Sequence, residues 1–123
     1  MDSNANKKIQ KKYNSENDFY DLRCPYWTNK MKLEFLQRRI IVACIIYYEM
    51  NESIINDDDY ESISKQYLNL VSETDKETLK NTKYYYVMQK YDGSTGNFIF
   101  GKLKKEDKRY LSMIANIVLS LKK

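Results

Sequence analysis

Apolar positions recur along most of the chain at the three-and-four spacing of an α-helix. From about Asn29 to Met50 they fall at Leu33, Leu36, Ile40, Ala43, Cys44 and Tyr47, which gathers them on one side of a helix with 3.6 residues per turn. From Ile40 to Tyr48 the segment is apolar nearly all round, so the pattern predicts a helix at the centre of the molecule. The β-branched run Ile40-Ile41-Val42 also suits a strand, and periodicity alone leaves that alternative open. After a short link over 51–55, Asn56 is a good N-cap for a second helix running to about Val71. Asp57, Asp58 and Asp59 fill its first turn, where free amides and the helix dipole favour carboxylates. Tyr60, Ile63, Tyr67 and Leu70 or Val71 mark its buried stripe.

Beyond Ser72 the pattern is polar, with one helical turn expected around Lys76 to Leu79. Tyr84-Tyr85-Tyr86-Val87-Met88 and Phe98-Ile99-Phe100 favour extended structure. Between them Asp92-Gly93-Ser94-Thr95-Gly96 is a turn sequence, so a small hairpin is expected. The last helix is read from about Lys105 to Leu121, with Tyr110, Ile114, Ile117 and Leu121 on one face and Leu111 and Val118 beside it. The predicted fold is therefore mainly α: three to four helices around an antiparallel helical hairpin, with a small β-hairpin before the C-terminal helix. Residues 1–18 read as a polar arm, and 19–123 as a single helical domain. Asp18 to Trp27 reads as an extended aromatic segment laid on that domain.

A length of 123 residues supports one hydrophobic core. Histidine is absent, which removes the commonest general base and the commonest metal ligand. Two cysteines, Cys24 and Cys44, are too few for a disulfide scaffold or a zinc site. No catalytic residue and no metal ligand is expected. The longest apolar run covers Ile40 to Tyr48, less than half of the roughly 20 residues a membrane span needs. No apolar stretch follows the basic residues near Met1, so no secretory signal is read. These features predict a soluble protein of the cytoplasm that has no membrane partner.

The net charge of +4 hides a segregation. Between Arg39 and Lys65 there is no Lys or Arg, while Glu49, Glu52, Asp57, Asp58, Asp59 and Glu61 all fall there. Basic clusters stand at Lys7, Lys8, Lys11 and Lys12 and at Lys102, Lys104, Lys105, Lys108 and Arg109, in a chain with 12 tyrosines. Phosphate contact with base stacking is one use of such clusters, and solvated helix faces are the other.

The stretch Tyr47-Tyr48-Glu-Met-Asn-Glu-Ser-Ile-Ile-Asn-Asp57-Asp-Asp-Tyr60-Glu61-Ser-Ile63, continuing to Glu73, resembles the amino-terminal helical domain, called Ia, of NAD-dependent DNA ligases. In that family a Tyr-Tyr or Tyr-His pair ends the first helix of a hairpin, and an Asp-x-x-Tyr-Asp element opens the second. The domain captures the nicotinamide mononucleotide half of NAD. The resemblance implies Tyr47, Tyr48, Asp57, Tyr60 and Glu61 as cofactor-binding residues, with Glu61 standing where the family has Asp. The longer order, which includes Tyr84-Tyr-Tyr-Val-Met-Gln-Lys-Tyr-Asp-Gly-Ser-Thr-Gly96, resembles short ligase-related proteins of phages and mobile elements. Lys90-Tyr-Asp-Gly93 has the form of the ligase lysine element. A nucleotidyltransferase needs a two-sheet domain around that lysine and 30 residues follow Gly93, so no covalent catalysis by Lys90 is expected.

The functional expectation is a non-catalytic accessory protein of a phage or mobile element. It would bind a host factor in the bacterial cytoplasm and inhibit a defence nuclease of the CRISPR-effector kind. Glu49, Glu52, Asp58 and Asp59 are the expected partner-binding residues, because clustered carboxylates repel one another unless a basic surface receives them. The residues by themselves imply no cofactor. The alternatives are a module binding NAD or nicotinamide mononucleotide, and a protein that binds nucleic acid directly.

Overall fold

The computed structural model describes residues 26–122. The predicted arm over 1–18, the aromatic segment up to Pro25, and Cys24 lie outside the described residues. The described chain carries six helices: α1 (Asn29–Cys44), α2 (Asp57–Glu73), α3 (Lys76–Lys80), α4 (Tyr85–Met88), α5 (Ile99–Lys102) and α6 (Lys105–Lys122). α1 continues into a wide turn of π-helical form, Ile45–Glu49.

Each long helix starts where the local chemistry dictates. Thr28 caps α1 by accepting from the Met31 amide at 3.2 Å, and Asn56 caps α2 by accepting from the Asp59 amide at 2.8 Å. These bonds satisfy amides that have no partner inside the helix. α1 is the central helix. Leu33, Leu36, Ile40, Ile41, Val42, Cys44, Ile45 and Ile46 are all buried, and α2, α3, α5 and α6 pack around it.

The α1–α2 pair is antiparallel. Gln37 bonds to Tyr67 and Cys44 to Tyr60, so the partner on α2 retreats seven residues as α1 advances seven. The fully buried Gln37 also ties α1 to the chain before α4. Its amide donates to the Thr82 hydroxyl at 2.8 Å, and its carbonyl accepts from the Tyr84 amide at 3.3 Å. Burying an amide this way is tolerated because both ends of the side chain find partners.

Two sequence expectations are corrected. No strand forms among the described residues, so the small β-hairpin is absent; Tyr85–Met88 and Ile99–Lys102 are single helical turns instead. The buried positions explain this. Tyr84, Val87, Met88 and Tyr91 are buried, a helical spacing, whereas a strand would bury Tyr84, Tyr86 and Met88 together. Packing on α1 overrides the extended preference of the aromatic run. The second correction concerns α6. Leu111, read as beside the main apolar face, and Ala115 are its buried residues, while Tyr110, Ile117 and Leu121, three of the four residues on that face, are exposed.

Candidate functional site

Three irregular segments converge at one end of the α1–α2 pair: the wide turn Ile45–Glu49, the connection 50–56 and the turn 92–96. In the first, the Met50 amide reaches back to the Ile45 carbonyl at 3.2 Å and the Glu52 amide to Ile46 at 3.0 Å. An extra residue per turn shifts the side chains that follow it. Tyr47 and Tyr48 therefore emerge at the surface, 59% and 40% exposed, directly after a buried run. Their rings meet edge to face, with centroids 4.9 Å apart. Asn51 ends the turn at a φ of 54°, a left-handed conformation that asparagine tolerates better than most residues.

The facing turn is built by Asp92. Its carboxylate accepts from the Ser94 hydroxyl at 2.5 Å and the Ser94 amide at 2.9 Å. These bonds, the hydroxyl first, hold the Asp92 carboxyl below its usual value of 3.8. The Thr95 hydroxyl then shares a hydrogen bond with the Tyr48 hydroxyl at 3.0 Å. Gly96 packs directly on Cys44.

Between these segments lies a cleft of about 200 Å³ whose lining includes Tyr47, Tyr48, Asp57, Tyr60, Ser94, Thr95 and, at its back, Cys44. Behind it runs a chain of hydroxyls. Cys44 Sγ lies 3.5 Å from the Tyr60 hydroxyl, which lies 2.7 Å from the Tyr91 hydroxyl, itself 2.6 Å from Ser64 Oγ. Burial raises the Cys44 thiol, against a smaller opposing effect of its bond to Tyr60. Burial chiefly, then the neighbouring thiol and the Tyr91 hydroxyl, push the Tyr60 hydroxyl far above its ordinary value. Tyr91 is raised for the same main reason. All three groups keep their protons near neutral pH, so the back of the cleft offers neutral hydrogen-bonding groups.

Asp57 is the one charged side chain among the described residues of the lining. Tyrosine faces and a carboxylate together suit a cationic group, through ring quadrupole and Coulomb attraction. The volume suits one ring or one side-chain head, because clefts for drug-sized ligands start at about 300 Å³. No group of three His, Cys, Asp or Glu among the described residues is placed to hold a metal ion.

Four of the five residues indicated by the ligase resemblance, Tyr47, Tyr48, Asp57 and Tyr60, share this cleft. Glu61 does not: it is exposed and pairs with Lys65 at 3.2 Å, one helical turn on. Glu49, Glu52 and Asp58 are exposed outside the cleft. Asp59 lines a neighbouring hollow with Arg39 and Lys122, and the Lys122 ammonium donates to the Ile54 carbonyl. The acidic stretch is therefore less isolated than its sequence indicates, because α1 and the end of α6 bring cations to it. Sequence reasoning missed Ser94, Thr95 and the Cys44–Tyr60–Tyr91–Ser64 chain. The turn 92–96 was visible, but where it docks was not.

Comparison of the chain with family models, with curated proteins and with solved structures returned no match.

Proposed function

We propose that this chain is a non-catalytic binding protein that captures a basic protein partner at the 47–60 end of the α1–α2 pair, with one cationic side chain of that partner in the cleft. The observation that carries this reading is the lining itself: two exposed tyrosines and the Asp57 carboxylate, with no Lys or Arg among its described residues. Exposed Glu49, Glu52 and Asp58, with half-buried Asp59, extend the negative potential beyond the rim. Such a surface accelerates encounter with a basic groove and loses affinity with salt. In the setting that the ligase-related resemblance implies, the partner is a nucleic-acid-handling effector of a bacterial host. The protein is then an accessory of a phage or mobile element that inhibits a defence nuclease of the CRISPR-effector kind.

The gathering of Tyr47, Tyr48, Asp57 and Tyr60 supports a second reading, capture of nicotinamide mononucleotide, whose pyridinium ring is flat and cationic. Against it, the cleft is too small for a dinucleotide, and its described lining offers no cation to a phosphate.

Titration calorimetry with a hexa-arginine peptide, nicotinamide mononucleotide and NAD separates the two. The peptide should bind, about three- to tenfold more weakly after Asp57→Asn or Tyr47→Ala, the scale of one cation–π or charge contact. Reversal of Glu49, Glu52, Asp58 and Asp59 to Lys should abolish binding while the fold persists. Peptide binding that survives this reversal with the same salt dependence would sink the first reading. Absence of heat at about millimolar nucleotide, a binding free energy weaker than about 4 kcal/mol, would end the second.

A further inference from the structure

At the other end of α6 the charge is reversed. Between Lys102 and Arg109 the sequence places five cations and two acids, Glu106 and Asp107. Asp107 is already engaged by the Tyr86 hydroxyl at 2.5 Å, and that same oxygen accepts from the Lys104 amide at 3.0 Å. The lysines here are not loose. The Lys102 ammonium lies over the Phe98 ring at 5.2 Å, Lys104 over Tyr86 at 4.9 Å and Lys108 over Phe100 at 5.2 Å. Lys83 sits between Tyr84 and Tyr110, at 5.5 and 5.4 Å. Tyr86 and Phe100 hold Lys104 and Lys108 against the start of α6, Lys102 stands two residues before Lys104, and Lys83 reaches the same end of the helix through Tyr110.

Stability of α6 does not call for this arrangement. The start of a helix is its positive end, so Lys104, Lys105, Lys108 and Arg109 stand where anions are favoured. Aromatic rings under four of the ammonium groups hold them in place before any ligand arrives. Pre-ordered cations next to an exposed ring such as Tyr110, 44% exposed, are the pattern that single strands use: phosphates meet the cations, and bases stack on the ring faces left open. We propose that this cluster of lysines around the start of α6 binds single-stranded nucleic acid. Its part at the start of α6, Lys104 to Lys108, lies one helix length from the Lys122–Ile54 contact beside the acidic rim; for 18 residues that is about 27 Å. Lys102 on Phe98 stands nearer to the cleft, because Phe98 follows Thr95 by three residues.

The test is fluorescence anisotropy of a labelled oligothymidylate of about 12 residues, titrated with the full chain. With four lysines on phosphates, log affinity should fall with log salt at a slope of about −3, roughly fifty-fold between about 50 and 200 mM. Changing Lys83, Lys102, Lys104 and Lys108 to Gln together should weaken binding by more than about tenfold at low salt and flatten the slope towards zero. The same four positions changed to Arg should restore both, with circular dichroism confirming the helix content of each variant. Lys65→Gln, on α2, should change neither. The proposal is overturned if the wild-type chain does not bind at about 50 mM salt. It is overturned equally if the four-glutamine variant keeps its affinity and slope, which would move the site to the cations elsewhere, or if a heparin fragment of equal charge competes as well as unlabelled oligothymidylate.

Discussion

A methyl group added at Gly96 would place its carbon 2.3 Å from the Cys44 sulfur and 3.1 Å from Ile99. Real contacts do not reach the first of these distances, so the turn 92–96 docks on α1 only because residue 96 has no side chain. Gly96→Ala should therefore destabilise the protein by about 1–3 kcal/mol, the usual cost of overpacking. Cys44→Ala removes the obstructing sulfur, so the double variant should recover part of that loss. Urea melts of the four proteins give the coupling, and strictly additive losses would show that the two residues do not touch. Cys44→Ala also cuts the hydroxyl chain from the back of the cleft, so hexa-arginine affinity measured on the same variants reports whether that chain shapes the cleft.

Among elements, α6 shows how a correct helix prediction goes wrong in its facing. Its apolar residues cover much of the circumference: Leu111 and Ala115 are buried, Ile114 and Val118 half-buried, and Tyr110, Met113, Ile117 and Leu121 exposed. Periodicity identifies such a helix without choosing which of two adjacent stripes meets α1. Leu111→Ala should cost about 2–5 kcal/mol, the range for a buried leucine that leaves a cavity. Ile117→Ala should stay within about 0.5 kcal/mol. Thermal or urea melts decide it, and the reverse order of the two losses would restore the stripe read from sequence. The same physics explains α4, where the apolar neighbours Tyr85 and Tyr86 hide the helical spacing of Tyr84, Val87, Met88 and Tyr91. It also explains the wide turn, where a run apolar on all sides gives no sign that Tyr47 and Tyr48 turn outward.

At the scale of the whole molecule, the buried tyrosines set the pH response. Burial chiefly, then the Asp107 charge, pushes the Tyr84 hydroxyl from 10.0 up to about 12. Tyr86 reaches about 12 through burial and its bond to Asp107, and Tyr60, Tyr67 and Tyr91 are raised as well. Below pH 10 the folded and unfolded chains both hold these protons, so stability is fully present. Above it the unfolded chain releases them first, and stability falls towards pH 12. With no histidine in the sequence, the urea midpoint should be nearly flat from about pH 5.5 to 8 and then drop from about pH 10. The Tyr84 hydroxyl is also buried without a hydrogen-bond partner among the described residues. Tyr84→Phe should thus raise stability by about 1 kcal/mol at neutral pH and make the alkaline drop shallower. A loss at neutral pH would mean that the hydroxyl has a partner.

Residues close together in the chain set the local features. The caps at Asn56 and the acidic turn after it follow from residues within one turn of each other, as do the extents of the long helices and the turn 92–96. The exclusion of histidine chemistry needs only composition. The tyrosines and Asp57 of the cleft were legible because their spacing across one short connection carries the resemblance that singled them out. Tertiary structure alone decided which stripe of α6 is buried, that the aromatic runs coil instead of pairing, and that Thr95 meets Tyr48 across 47 residues. It also brought Arg39 and Lys122 to the acidic end and laid four lysines on rings at the basic end. These outcomes rest on contacts between residues far apart in the chain. They are chosen by competition for the limited surface of α1, and no local pattern records which competitor wins.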